Sequence, residues 1–156
     1  MSGERHRVLF VCLGNICRSP TAEGVMLHLL RERGITSVDV DSAGTSAYHV
    51  GEPADARSQR VANQRGIHLP SRARQFVQAD FTRFDWIMAM DLSNQQNILA
   101  LAQTDEERQK VYLFRDFEEG TASGLSVPDP YYENNFDVVL DICEAGCLGI
   151  LQSLGL

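Results

Sequence analysis

Val8-Leu9-Phe10-Val11-Cys12-Leu13-Gly14-Asn15-Ile16-Cys17-Arg18-Ser19-Pro20 is the stretch on which the reading of this chain turns. Its first four residues are a short apolar run of strand type. Ser19-Pro20 reads as a helix start, with Pro20 expected at the first helical position. Between them lies an eight-residue loop, Cys12 to Ser19, with a cysteine where it begins and an arginine near its end. A loop curled over a helix N-terminus directs backbone N–H groups at one point, and the helix dipole favours negative charge there. The same environment favours the thiolate form of a cysteine, which makes Cys12 a candidate nucleophile. Arg18 supplies a planar, permanently charged fork able to clasp two phosphate oxygens. Gly14 and Asn15 tolerate positive φ, which such a loop needs if its amides are to converge. The lysine of a Walker loop is absent, so nucleoside triphosphates are not the expected ligand. The competing reading is a buried cysteine beside a surface arginine; the placement between strand and helix argues against it.

Outward from this loop, strand and helix patterns alternate. Ala22, Val25, Met26, Leu29 and Leu30 recur at helical spacing up to Gly34, and Ser37–Asp41 alternates like a half-buried strand. Gly44 to Pro53 reads as loop, Ser58 to Arg65 as helix. Asp85–Met90 is expected as a third strand, followed by a helix capped by Ser93. Val111–Phe114 is expected as the fourth strand, followed by a Gly-, Ser-, Pro- and acid-rich loop from Arg115 to Asn135. The last segment carries Phe136, Val139, Leu140, Cys143, Cys147, Ile150, Leu151 and Leu154 on one helical face, an unbroken stripe despite Gly146 and Gly149. Alternation of this kind implies an α/β fold: parallel strands with right-handed crossovers and helices on both faces, Rossmann-like. Ligands then bind beyond the carboxyl ends of the strands, where the Cys12 loop lies.

The chain has 156 residues, 44% of them hydrophobic, which suits a single domain spanning 1–156. A formal net charge of −7 argues against nucleic-acid binding, which needs basic stripes. No apolar run is long enough for a membrane span and no leader pattern is evident, so the sequence reads as cytoplasmic, without membrane insertion. The four cysteines, unaccompanied by export signals, fit a reducing compartment, and no Cys/His spacing suggests a metal site.

Phosphoryl transfer from an ester also needs a proton donor for the departing oxygen. Asp129, in Val127-Pro128-Asp129-Pro130-Tyr131-Tyr132, follows the fourth strand, and so falls at the expected active edge between two stiffening prolines. An Asp-Pro pair is equally a turn signal, so the residues alone leave both readings open.

The segments Leu9 through Glu23, Asp41-Ser42-Ala43-Gly44-Thr45-Ser46, Ala73-Arg74-Gln75 and Asp129-Pro130-Tyr131 closely resemble the low-molecular-weight protein tyrosine phosphatases, over nearly the whole length. The resemblance implies a four-stranded parallel sheet in order 2-1-3-4. It implies hydrolysis of phosphotyrosine monoesters through a phosphocysteine intermediate: Cys12 as nucleophile, Arg18 and the amides of Leu13, Gly14, Asn15, Ile16 and Cys17 around the phosphate, Asp129 as general acid and then base. By the same resemblance Ser19 supports the departing thiolate and Asn15 stiffens the loop from a left-handed conformation. Tyr48, Tyr131 and Tyr132 would line, with Leu13 and Ile16, a slot for an aromatic ring. Substrates would be tyrosine-phosphorylated proteins, with a cognate tyrosine kinase as partner and neither cofactor nor metal.

Cys17 is either a small buried side chain or, as the resemblance implies, the partner of Cys12 in a reversible, redox-sensitive disulfide. Cys143 and Cys147 lie on the apolar stripe and read as core. His49 and Glu52 stand where family members vary. In mammalian members a histidine braces Asn15 where this chain has Ser71, so loop bracing is expected to differ. Three rival functions remain. A phosphoarginine phosphatase of similar fold would have a threonine in place of Ile16. A thioredoxin-linked arsenate reductase would need a cysteine pair after mid-chain, where this chain has none between Cys17 and Cys143. A non-catalytic redox or phosphate-binding module would need neither Cys12 nor Asp129.

Overall fold

The computed structural model describes residues 4–156, apart from the side chain of Tyr132. Four parallel strands form one sheet in the order β2-β1-β3-β4. They are β1 (His6–Cys12), β2 (Val38–Gly44), β3 (Trp86–Ala89) and β4 (Val111–Leu113). Period-two alternation sorts the central strand between two cores. Val8, Phe10 and Cys12 face α1 (Arg18–Glu32) and the long C-terminal helix α7 (Phe136–Ser153), while Leu9 and Val11 face Phe76, Phe81, Phe84 and Ile98 on the other side. Both faces of β1 are buried, so it reads as a continuous apolar run rather than an alternating one.

Several local expectations are corrected. α1 begins two residues earlier than Pro20 implies, with Cys17 as the flanking residue, so proline occupies the third helical position. This costs nothing, because the first-turn N–H groups have no partner within the helix. β2 extends through Ser42 and Ala43 to Gly44, in register with Phe10, Val11 and Cys12, so the loop after it opens only once the strand has reached the start of the Cys12 loop. The second helix, α2 (Ala56–Gln64), is capped by Asp55, and short helices α3 (Asp80–Arg83) and α5 (Asp105–Arg108) occupy stretches without an apolar stripe. Asp91, not Ser93, caps α4 (Leu92–Leu101): its Oδ1 accepts from Asn94 N at 2.7 Å. Phe114 leaves the sheet for a 3-10 turn, Phe114–Phe117, and a short helix, α6 (Pro130–Glu133), interrupts the acid-rich loop.

The glycines of α7 have a packing explanation. A Cβ on Gly146 would come within 2.3 Å of the Phe114 ring, and one on Gly149 within 1.7 Å of Phe117 O. The helix therefore lies flush against the turn that opens the Asp129 loop. The helix-propensity cost of about 1 kcal/mol per glycine is accepted for that approach.

Candidate active site

The carboxyl end of β1 delivers Cys12 to the bottom of a cavity of about 240 Å³ lined by Cys12, Leu13, Gly14, Ile16, Cys17, Arg18, Tyr48, His49, Asp129 and Tyr131. The loop carbonyls are turned outward. Cys12 O accepts from Thr45 N, Leu13 O from Ser46 N, Ile16 O from Asp55 N and Cys17 O from Thr21 N, all at 2.8–3.2 Å. In a planar trans peptide the N–H points opposite to the C=O, so the amides of Leu13, Gly14, Cys17 and Arg18 are turned toward the loop's centre. They join the N-terminus of α1, which has no side-chain cap and so leaves its first amides free for an anion. Gly44 is needed for this closeness, since a Cβ there would stand 2.7 Å from Leu13 O.

A buried hydrogen-bond chain braces the thiol. Asn15 sits at φ 58°, and its Nδ2 donates to Ser19 Oγ at 2.8 Å and to Ser42 Oγ at 2.9 Å. Both amide protons are thereby used, so each serine must pass its own proton onward. Ser42 donates to Glu23 Oε1 at 2.5 Å; Ser19 has Cys12 Sγ at 3.0 Å. Asn15 N donates to the same sulfur at 3.3 Å, and Asn15 Oδ1 accepts from Arg74 N at 3.0 Å. Burial holds the Glu23 carboxyl above its ordinary range, a shift that the nearby Asp41 charge reinforces. Ser71 makes no bond to Asn15, and its Oγ is buried without a hydrogen-bond partner among the described residues. The Asn15 side-chain oxygen takes the backbone N–H of Arg74.

Arg18 is 3% exposed and aimed by two acceptors, Asp91 Oδ2 at 2.6 Å and Val127 O at 3.2 Å. Its other terminal nitrogen lies 3.7 Å from Asp129 Oδ2, at the cavity rim, where Asp129 is 40% exposed. Asp129 also caps α6, its Oδ1 accepting from Tyr131 N at 3.1 Å. Leu13, Tyr48 and Tyr131 are exposed around the rim, and Ile16 is buried against the wall. His49 closes one side, its ring against Gly14 and its Nδ1 3.1 Å from Glu52 Oε2. Tyr132 was expected here too, but its side chain lies outside the described residues. Cys17 is a free thiol, with burial pushing its pKa up to about 12 and the charges of Asp55 and Cys12 adding to the shift. Cys143 and Cys147 are fully buried in the core, as their place on the stripe suggested.

Glu23 and Arg74 entered the sequence reading only as members of the resembling segments, without a role, and Asp91 and Arg57 did not enter it. Asp91 had a usable signal of its own: an acidic residue two positions past a strand's carboxyl end, at the edge where such sheets bind ligands. Among the described residues there is no group of three or more His, Cys, Asp or Glu placed to hold a metal ion, and no helix long and apolar enough to cross a membrane.

A strand, a closed amide loop and a helix start converge on one buried thiol, with a guanidinium beside it. That combination marks an α/β protein built to handle a phosphate-sized anion next to a cysteine. The family model described as low molecular weight phosphotyrosine protein phosphatase matches residues 7–155. A low molecular weight protein-tyrosine-phosphatase of Streptomyces coelicolor is 41% identical over 153 residues, covering 96% of this chain and 93% of its own. The crystal structure of a protein tyrosine phosphatase from Entamoeba histolytica, with Hepes in its active site, superposes with a TM-score of 0.90 at 40% identity, covering 96% and 97% of the two chains. A Drosophila arginine phosphatase superposes with a TM-score of 0.88 at 32% identity, covering 96% and 98%. The chain belongs to the low molecular weight protein-tyrosine-phosphatases, a family of phosphatase enzymes.

Proposed function

We propose that this protein hydrolyses phosphotyrosine monoesters in proteins by a two-step transfer through Cys12. The observation that carries the reading is the Cys12 sulfur at the foot of an aromatic-rimmed cavity, bonded by Ser19 and the Asn15 amide, with Asp129 and Arg18 side by side above it. In the first step the Cys12 thiolate attacks phosphorus, an S–P bond forms, and the bond to the phenolic oxygen breaks. That oxygen takes the electron pair and the proton from Asp129. In the second step a water attacks phosphorus and gives its proton to the Asp129 carboxylate. The S–P bond then breaks, inorganic phosphate leaves, and the sulfur recovers its charge against the Ser19 hydroxyl and Asn15 N–H. Arg18 and the inward amides hold the equatorial oxygens throughout, so most of the catalysis is positioning and charge stabilisation.

The apolar and aromatic rim of Leu13, Tyr48 and Tyr131 supports an aryl ester over phosphoserine, which has no ring to place against it. The Drosophila relative makes phosphoarginine the second reading. Ile16 favours the aryl ester, because its branched apolar side chain lines the wall and offers no hydroxyl to a guanidinium. Substrates of this kind imply a tyrosine kinase acting upstream and a location inside the cell. A reversible Cys12–Cys17 disulfide is consistent with two free thiols on one loop.

Initial rates on phosphotyrosine, phosphoarginine and phosphoserine peptides, under reducing and metal-free conditions, test the reading. Phosphotyrosine should be turned over fastest, and Cys12→Ser should lower turnover by at least about 10⁴-fold while inorganic phosphate still binds. Preference for phosphoarginine would keep the nucleophile and overturn the aromatic slot. Substantial activity in Cys12→Ser would sink the mechanism.

A further inference from the structure

Asp129 stands at the exposed rim, yet the backbone on each side of it is tied down. Upstream, Arg115 Nη1 donates to Ser126 O at 3.1 Å, Arg18 Nη1 donates to Val127 O at 3.2 Å, and Val127 N donates to Met90 O at 2.8 Å. Downstream the corresponding bond comes from α2, where Arg57 Nη1 donates to Tyr131 O at 3.2 Å.

Arg57 is itself fixed from several directions. Its Nη2 and Nε grip the two carboxylate oxygens of Asp55 at 3.0 and 3.1 Å. Its guanidinium carbon lies 5.2 Å from the centre of the Tyr131 ring and 4.7 Å from that of Phe136. Asp55, which caps α2, donates its own N–H to Ile16 O of the phosphate loop at 2.8 Å. The contacts therefore run without a break from the phosphate loop to the acid: Ile16, Asp55, Arg57, Tyr131, and then Asp129, whose Oδ1 accepts from Tyr131 N. An isolated surface ion pair contributes little to stability, so so many contacts on one partly exposed arginine call for another account. A forked, planar cation that bonds a carboxylate, a carbonyl and two ring faces at once is something lysine cannot reproduce.

We propose that Arg57 is a positioning residue for the proton-transfer step. It holds Tyr131 at a fixed place relative to the phosphate loop, and Tyr131 N–H in turn occupies Asp129 Oδ1. The proton then resides on Oδ2, the oxygen that faces Arg18 and the cavity. This inference rests on the reading of Asp129 as the general acid. Arg57 does not line the cavity and touches neither phosphate nor leaving group.

The test compares kcat/KM for phenyl phosphate, a poor leaving group that needs its proton, with 4-nitrophenyl phosphate, a good one. That ratio covers every step through departure of the phenol. Arg57→Met keeps the unbranched stem between the two rings and removes the fork. It should lower kcat/KM about tenfold for phenyl phosphate and less than about threefold for 4-nitrophenyl phosphate, with inhibition by inorganic phosphate unchanged. In an Asp129→Ala background the same substitution should change phenyl phosphate turnover by less than about twofold, because its route of action is already gone. Arg57→Lys keeps a cation near the rings without the fork and should recover only part of the loss. If Arg57→Met does not fold, Arg57→Lys is judged by the same two comparisons. Equal slowing of both substrates, weakened phosphate inhibition, or a full multiplied effect in the Asp129→Ala background would overturn the proposal. Equal slowing by Asp129→Ala alone would instead show that the acid itself was misassigned.

Discussion

From Cys12 to Ser19 the phosphate loop is buried or half-buried apart from Leu13, and its working polar groups are bonded inward: Asn15 to Ser19, Ser42 and Arg74, with Glu23 behind them. Across the cavity Asp129 itself is 40% exposed, and the ties of its segment are arginine forks that reach in from other elements to main-chain carbonyls. The first region is built from its own short side chains, the second is held from outside by long ones. A buried network of this kind fails as a whole, because each lost member leaves others unsatisfied in a low dielectric. A long charged arm at a wet surface, as Arg57 is at 37% side-chain exposure, fails singly and gently, unlike the buried Arg18. The cradle should therefore be intolerant of small changes, and the acid loop graded in its responses.

Four substitutions break or sharpen that contrast. The largest effect is expected from Asp129→Ala, which should lower kcat/KM for phenyl phosphate by about 10³-fold and leave 4-nitrophenyl phosphate far less affected. Stability should fall by only about 1 kcal/mol, the cost of losing its cap on α6. Asn15→Ala acts on the other side. It strands Ser19, Ser42 and Arg74 N and places alanine at φ 58°, so about 3 kcal/mol of stability should be lost in urea unfolding, together with phosphate affinity. Arg115→Ala releases the Ser126 carbonyl but leaves the Arg18 and Arg57 ties, and a loss of only about fivefold in kcat/KM for phenyl phosphate is expected.

The smallest effect is a pH dependence. Burial raises the folded-state pKa of Glu23 above its unfolded value, so its contribution to stability is fully present below the unfolded pKa and is lost as pH rises through the folded one. Glu23→Gln keeps the acceptor for Ser42 without a titrating charge. Its melting temperature should match the parent in acid and exceed it by about 2–4 °C as pH climbs past the ordinary glutamate range. A constant difference at all pH values would show that Glu23 does not carry the shift.

How much of this was legible in the sequence follows the same division. β1, the Cys12 loop and the stripe of α7 were readable because each is written in consecutive or periodic residues. Asp129 was readable only in combination with the loop, since an Asp-Pro pair alone signals a turn. The end of β2 was missed because Ser42, Ala43 and Gly44 lack strand propensity; pairing with Phe10, Val11 and Cys12 overrides it. The bracing residues were silent for another reason. Glu23, Arg57, Arg74 and Asp91 are ordinary polar residues on ordinary elements, and only tertiary contact separates them from solvated ones. Ser93 looked like the better cap because it precedes a helical run, but Asp91 reaches the Asn94 amide first.

The flanking ties also have an entropic consequence. Between the Val127 and Tyr131 carbonyls, both hydrogen-bonded, lie only Pro128, Asp129 and Pro130, and two of these three have φ fixed by a ring. Asp129 thus resides on a tether with very few conformations to explore. Arrival of a substrate freezes almost nothing there, so little of the binding free energy is spent on ordering the proposed proton donor. On the proposed mechanism, Asp129 is in place before the substrate comes.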